Sequence, residues 1–387
     1  MIFTKLGGDI LKEKLSWITG LKGVAALVIF IHHFALFFYP GFIYTTTDNI
    51  RISGGLELKI AQTPLNIFSW GGVAGVCVFF TISGFLIAYN YYIKEKKYDS
   101  VYMIKRYMKL MIPILISSII IFIIVKSRIF RTDSLLELYK INGLNNSYTY
   151  YNENIFTLIW NALFTLFKTA SCPINPPMWT MKNELIYSLL SALLINVTGK
   201  SKYRFIIYSI IFLLFINTYF ICFILGIVLC DIWINKKNII NYLNRLDIKI
   251  IILFVGLLLL SSTYANQFTA YYSTINNLFE DIDYIVFYHS IGSALIILFF
   301  LLTLNARKLF SKKIFLFLGE QSLFIYLFHW IIINTLSMFI VVKLNKYLKY
   351  YQSCLISFII SFIVIIIISK YFGKYITAIT NWVIKKI

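Results

Sequence analysis

The sequence predicts an all-α polytopic membrane protein of about ten transmembrane helices with both termini in the cytoplasm, and three observations carry that prediction. Of the 387 residues, 59% are hydrophobic, and the mean hydropathy is +0.79, against roughly 45–50% apolar residues in an ordinary soluble domain. Apolar runs near the roughly 20 residues that a spanning helix needs recur along the chain. The basic residues gather in alternate loops between those runs, as the positive-inside rule requires.

The first span, 17–39, has an apolar run too long for the h-region of a signal peptide and lacks a small-residue cleavage site, so it is expected to stay as a helix. The second, 72–92, carries Gly71, Gly72, Gly75 and Ser83-Gly84, small residues that let backbones approach closely. The third, 108–125, follows Lys105, Arg106 and Lys109. The stretch 155–167 is only 13 residues long and reads as an interfacial or re-entrant helix, with Ile155, Leu158, Ile159 and Ala162 on one face. The remaining spans are 178–197, 204–217, 219–235, 248–264, 284–304, 316–341 and 352–372. With 155–167 not crossing, 24 of the 36 Lys and Arg fall on the side of the two termini and 10 on the other. Loop 265–283, on the sparser side, has no base but holds Glu280, Asp281 and Asp283.

Residues 1–387 are therefore expected to form one membrane-embedded domain with no fused soluble domain and an exterior loop region at 126–177. The formal charge of +20 reads as topology, which argues against a nucleic-acid partner. Cys77, Cys172, Cys222, Cys230 and Cys354 show no CxxC spacing, so neither a disulfide framework nor a metal site is expected. The loop 126–177 holds Asn142, Asn145, Asn146, Ser147, Tyr148, Tyr150, Tyr151 and Asn152. These are aromatic faces with amide and hydroxyl donors, a surface suited to sugars, although the same composition is what an AT-rich genome would place in any exterior loop.

Polar groups inside a bilayer are costly and point to function. Lys22 and His33 are 11 residues apart, three turns of helix, so they share a face about 16 Å apart along the axis. Imidazole is the side chain most easily poised as a general base near neutral pH. The competing explanation is a snorkelling lysine and an interhelical hydrogen bond; His32, about 100° around, is expected to be structural. Arg106 and Lys109 share a face at the cytoplasmic end of the third span, with Lys105 beside them, and suit either phosphates or a topological anchor. Lys182 and Glu184 sit within a span behind Trp179, where isolated charges need a partner or a wet cavity. Ser322, Tyr326 and His329 form one stripe, either a cavity lining or interhelical glue.

Taken in order, these segments resemble the integral-membrane acyltransferase family 3. The matching residues run from Ile18-Thr19-Gly20-Leu21-Lys22-Gly23 through His33-Phe34, then Gly75 through Leu86 with Phe79-Phe80-Thr81-Ile82-Ser83-Gly84 at its centre. Arg106-Tyr107-Met108-Lys109 follows, then Trp179-Thr180-Met181 with Glu184 and Tyr187, then Leu318-Gly319 with Ser322, Tyr326, Leu327 and His329. The family pattern usually has arginine where this chain has Lys22 and Lys109, so charge is kept but the planar fork is lost.

The resemblance implies transfer of an acyl group, usually acetyl, from cytoplasmic acetyl-CoA or another acyl-CoA to a hydroxyl of a cell-surface or lipid-linked carbohydrate. It implies no permanently bound cofactor and a place in the plasma membrane of a bacterial cell. Lys22, Arg106 and Lys109 would hold the donor phosphates. His33 would be the general base, acting directly or after an acyl-enzyme step. Glu184 would orient or charge-balance His33, or bind the acceptor. Trp179 would offer a sugar-stacking face, and Ser83, Tyr326 and His329 would bind the acceptor or the developing oxyanion. The competing classes are a secondary transporter or flippase, a polysaccharide polymerase or ligase using Arg128 and Arg131, and an acyltransferase of the same fold with a donor such as succinyl-CoA.

Overall fold

A computed structural model describes residues 15–43, 51, 55–61, 63, 65–66, 72–127, 153–262 and 282–387, and every regular element among them is helical. In chain order the helices are α1 Ser16–Phe38, α2 Leu56–Ala61, α3 Val73–Lys94, α4 Ser100–Ser127, α5 Ile155–Thr169, α6 Trp179–Thr198, α7 Arg204–Leu214 and α8 Phe220–Asn235. They continue as α9 Lys237–Leu243, α10 Leu246–Leu260, α11 Tyr284–Leu302, α12 Leu304–Phe310, α13 Lys313–Leu344 and α14 Tyr350–Lys386. A π-turn interrupts α5 at Asn161–Thr165 and α13 at Ile333–Ser337.

Six of these, α1, α3, α4, α11, α13 and α14, are long and apolar enough to cross a membrane. Three expected spans are shorter as helices than as hydropathy runs: α7 has 11 residues, α8 has 16 and α10 has 15. At 1.5 Å per residue, α7 covers about 16 Å of a hydrocarbon core about 30 Å thick. Its cause is local. The Thr218 hydroxyl donates to the Phe215 carbonyl at 2.9 Å and accepts from the Phe220 amide at 3.3 Å, ending one helix and starting the next inside a continuous apolar run. The span expected at 178–197 is α6, with Lys182 and Glu184 in its first two turns.

Two helices exceed their expected length. Asp99 caps α4 by accepting from the Tyr102 amide at 2.8 Å, which carries the helix eight residues ahead of the apolar run at 108. Helix α14 runs 37 residues, to Lys386 rather than 372. The short helix expected at 155–167 is present as α5, started by Asn154, whose side chain accepts from the Thr157 amide. It lies against α4 through Tyr107, whose hydroxyl donates to the Leu163 carbonyl at 2.7 Å.

Two tight pairs, α1 with α13 and α3 with α8, form the centre, joined by contact of α1 with α3. Glycines allow both approaches. A Cβ at Gly319 of α13 would stand 1.9 Å from the Thr19 carbonyl oxygen of α1, and one at Gly226 of α8 would stand 2.2 Å from the Thr81 carbonyl oxygen of α3. Such backbone contact replaces hydrophobic driving force between helices surrounded by lipid. Around this centre, α14 lies on α13 and α4, held by the Ser357 hydroxyl on the Ser337 carbonyl at 2.9 Å. Its outer face is apolar, with Ile359, Ile363 and Ile367 about half exposed at 48%, 51% and 49%, as a lipid-facing stripe at i, i+4 requires.

Candidate active site

The packing of α1, α3, α4, α6, α13 and the end of α14 forms an open cavity of about 590 Å³. Its charge is unusual for a helical interior: Lys22, Lys96, Lys105, Arg106 and Lys109 line it together with one carboxylate, Glu184. The fold brings them together because Lys22 sits nearly two turns into α1 and Arg106 and Lys109 lie on the cavity side of α4, both opposite the first turns of α6.

Arg106 and Glu184 form an ion pair across α4 and α6. The pair is anchored on both sides: Ser83 of α3 donates to Glu184 Oε1 at 2.7 Å, and Arg106 Nε donates to Ser188 Oγ at 3.0 Å. In this arrangement the contacts of Glu184 are with Arg106 and Ser83, those of the Arg106 guanidinium are with Glu184 and Ser188, and the Ser83 hydroxyl is donated to Glu184. The carboxylate is the compensating charge for a buried guanidinium, whose desolvation would otherwise cost several kcal/mol. The lysines are different. Among the described residues no ion pair joins Lys22, Lys96, Lys105 or Lys109 to a carboxylate.

Along α13, Ser322, Leu323 and Tyr326 line the cavity and His329, one turn further, does not. The Tyr326 hydroxyl donates to the Pro177 carbonyl and lies 2.7 Å from Thr180 Oγ1, which joins α13 to the start of α6. Asn175 reinforces the junction by donating to the Leu327 carbonyl at 2.7 Å. Past this junction stands an imidazole pair. His329, fully buried, has Nδ1 2.6 Å from the Tyr326 carbonyl oxygen and Nε2 3.2 Å from His33 Nδ1. His33 Nδ1 is also 3.0 Å from the Ile29 carbonyl oxygen of its own helix. The His33 ring is bordered by His329 at 4.9 Å, Trp330 at 5.4 Å and His32 at 5.2 Å between centroids.

Of the expected site residues, Lys22, Ser83, Arg106, Lys109, Glu184 and Tyr326 line one cavity, and His33 and His329 pair with each other outside its lining. Trp179 is elsewhere: its ring packs on Tyr219 at 5.3 Å and does not line the cavity, so it presents no face there for a sugar. The eight Asn, Ser and Tyr residues of 142–152, and Arg128 and Arg131, lie outside the described residues. Sequence reasoning missed Thr180, Ser188 and Asn381. Thr180 and Ser188 flank Glu184 at four residues on either side, so helical spacing alone places all three on one face. Asn381 and Ile384 line the cavity from the last turns of α14, beyond its hydropathy-defined span, where no local signal marked them.

Fold and cavity define an integral-membrane helical protein with a basic internal chamber. A family model described as an acyltransferase domain matches residues 15–374, nearly the whole chain, and the chain belongs to that family, the integral-membrane acyltransferase family 3. No curated protein and no solved structure matches it.

Proposed function

We propose that this acyltransferase moves an acyl group, acetyl above others, from cytoplasmic acyl-CoA to a hydroxyl of a cell-surface or lipid-linked carbohydrate, with His33 as general base. The observation that carries the reading is the chamber: among the described residues, four lysines that no ion pair joins to a carboxylate line one cavity, and Tyr326, which lines it too, has its carbonyl oxygen 2.6 Å from Nδ1 of His329 in the imidazole pair. A donor with several phosphates and a long thin arm suits that distribution of charge. The phosphates sit among Lys22, Lys96, Lys105 and Lys109 as charge-assisted contacts, and the arm runs along α1 toward His33, about 16 Å further along the helix.

In this reading the acceptor hydroxyl attacks the thioester carbonyl while His33 takes its proton. The carbon–sulfur bond breaks, and the thiolate leaves with the proton returned from His33. Tyr326 and Thr180 lie between the phosphates and that step, placing two hydroxyls beside the path of the arm. Both termini are cytoplasmic, α6, α7, α8 and α10 complete ten crossings with local thinning of the bilayer, and α5 lies at the interface. The membrane is the plasma membrane of a bacterial cell.

The test is mass spectrometry of surface glycans from cells carrying the wild-type chain, a deletion, or His33→Ala at equal expression. Ester-linked acyl groups are expected to vanish in the deletion and not to return with His33→Ala, and the mass increment identifies the acyl group, acetyl or succinyl. Full acylation with His33→Ala removes His33 as base. Unchanged acylation in the deletion overturns the substrate assignment.

A further inference from the structure

Two backbone carbonyls dictate the protonation pattern of the imidazole pair. A carbonyl oxygen only accepts, so a ring nitrogen within hydrogen-bond distance of one carries the proton. His329 Nδ1 lies 2.6 Å from the Tyr326 carbonyl oxygen; it is therefore the N–H, and in a neutral ring Nε2 is a bare acceptor. That acceptor points at His33 Nδ1, 3.2 Å away, which is itself 3.0 Å from the Ile29 carbonyl oxygen. His33 Nδ1 thus carries a proton shared between two acceptors, and the lone pair of His33 resides on Nε2. Among the described residues no hydrogen bond engages His33 Nε2, and the residue is only partly buried.

We infer that His329 is a positioning residue that holds His33 in the tautomer with a bare Nε2 and accepts more strongly from Nδ1 when His33 becomes an imidazolium. This deepens the proposed function and rests on His33 being its base. The arrangement has the logic of a catalytic triad, where a third group orients the base and stabilises its cation. Here the third group is a neutral imidazole, which avoids placing an anion in a fully buried site. Its own orientation is set one step back: Tyr326, which supplies the carbonyl, is fixed by its hydroxyl on the Pro177 carbonyl and by Thr180. A displacement of the Pro176–Met178 turn would therefore reach His33 through three successive contacts, without either end touching the other.

When His33 Nε2 removes the acceptor proton, both of its nitrogens are protonated, and the positive charge faces the bare Nε2 of His329. Return of the Nε2 proton to the departing thiolate restores the resting pattern, so His329 neither gains nor loses a proton in the cycle.

The first arm of the test is independent of turnover. The chain has four histidines, so 15N-histidine labelling of the purified full-length protein in detergent gives a countable set of imidazole signals, assigned with His32→Gln, His289→Gln and His329→Gln. His33 and His329 are expected to show a protonated Nδ1 and an unprotonated Nε2, whereas His289, whose Nε2 is 2.9 Å from the Ser262 carbonyl oxygen, is expected as the opposite tautomer. A proton on His33 Nε2 overturns the inference, whether or not the protein transfers acyl groups.

The second arm is kinetic. His329→Leu is expected to lower kcat about a hundredfold with the donor KM unchanged, and His329→Gln, whose carbonyl oxygen can accept from His33 Nδ1, to recover at least a tenth of wild-type kcat. Neither should reduce activity further in a His33→Ala background, because groups acting as a unit are non-additive. Wild-type kcat in His329→Leu, or equal loss in Leu and Gln, overturns the positioning role. Absence of acyl transfer by the wild type removes the proposed function and leaves the tautomer result standing.

Discussion

The pairing of Arg106 with Glu184 is the interaction with the most to lose from single substitutions. Each partner is mostly buried, with side chains 21% and 13% exposed, and breaking a buried pair from one side typically costs 3–5 kcal/mol because the other charge is left uncompensated. Glu184→Gln and Arg106→Gln are each expected to lower the thermal midpoint of the purified protein markedly. The double variant should be less destabilised than the sum, with a coupling of about 1–3 kcal/mol in a double-mutant cycle. Lys22 has the opposite character, since among the described residues no ion pair joins it to a carboxylate. Lys22→Gln is expected to leave the thermal midpoint near wild type and raise the donor KM about tenfold, equal to about 1.4 kcal/mol, while Lys22→Arg retains it. Steady-state kinetics with varied acyl-CoA checks this.

Among helices, the decisive contacts are backbone against backbone. A Cβ at Gly319 meets the Thr19 carbonyl oxygen, which cannot rotate away as a side chain would. Overpacking of a tight core usually costs about 1–3 kcal/mol, and this contact belongs at the top of that range. Gly319→Ala is expected to separate α1 from α13, lowering the thermal midpoint and moving His33 away from His329. Substitution of alanine at Gly55, which has no described heavy atom within 4 Å, is expected to cost mainly through its backbone φ of +68°, so it serves as a packing control. The last turns of α14 supply Asn381 and Ile384 to the cavity while lying outside the family-matched residues 15–374. Removal of residues 375–387 is therefore expected to raise the donor KM several-fold with the remaining fold intact, measured on purified protein by donor titration.

For the whole chain, the orientation proposed from the charge pattern is open to direct measurement. The five native cysteines are all buried, so a single cysteine introduced at Lys385 reports its own side of the membrane. It is expected to react with a membrane-impermeant maleimide only after cells are opened. Labelling in intact cells would reverse the orientation and place the lysine-lined chamber outside, away from acyl-CoA.

Composition and the run of apolar segments were enough to read the helical membrane class, because burial of every backbone polar group in lipid leaves a hydrophobic chain few alternatives. The ordered motifs were enough to read the family, and helical spacing put Lys22, Arg106, Lys109, Glu184 and Tyr326 on faces that converge. Helix ends were less legible. Hydropathy measures the apolar run, whereas the start of α4 and the end of α7 are decided by Asp99 and Thr218, and α14 runs on past its apolar run to Lys386. Partnership was not legible at all: which carboxylate meets which base, and which imidazole meets His33, depends on contacts 78 and 296 residues apart in the chain. Spacing along one helix ranks the residues that share a face, but only packing of that face on another helix selects the atom opposite, and so Glu184 went to Arg106 and His329 to His33.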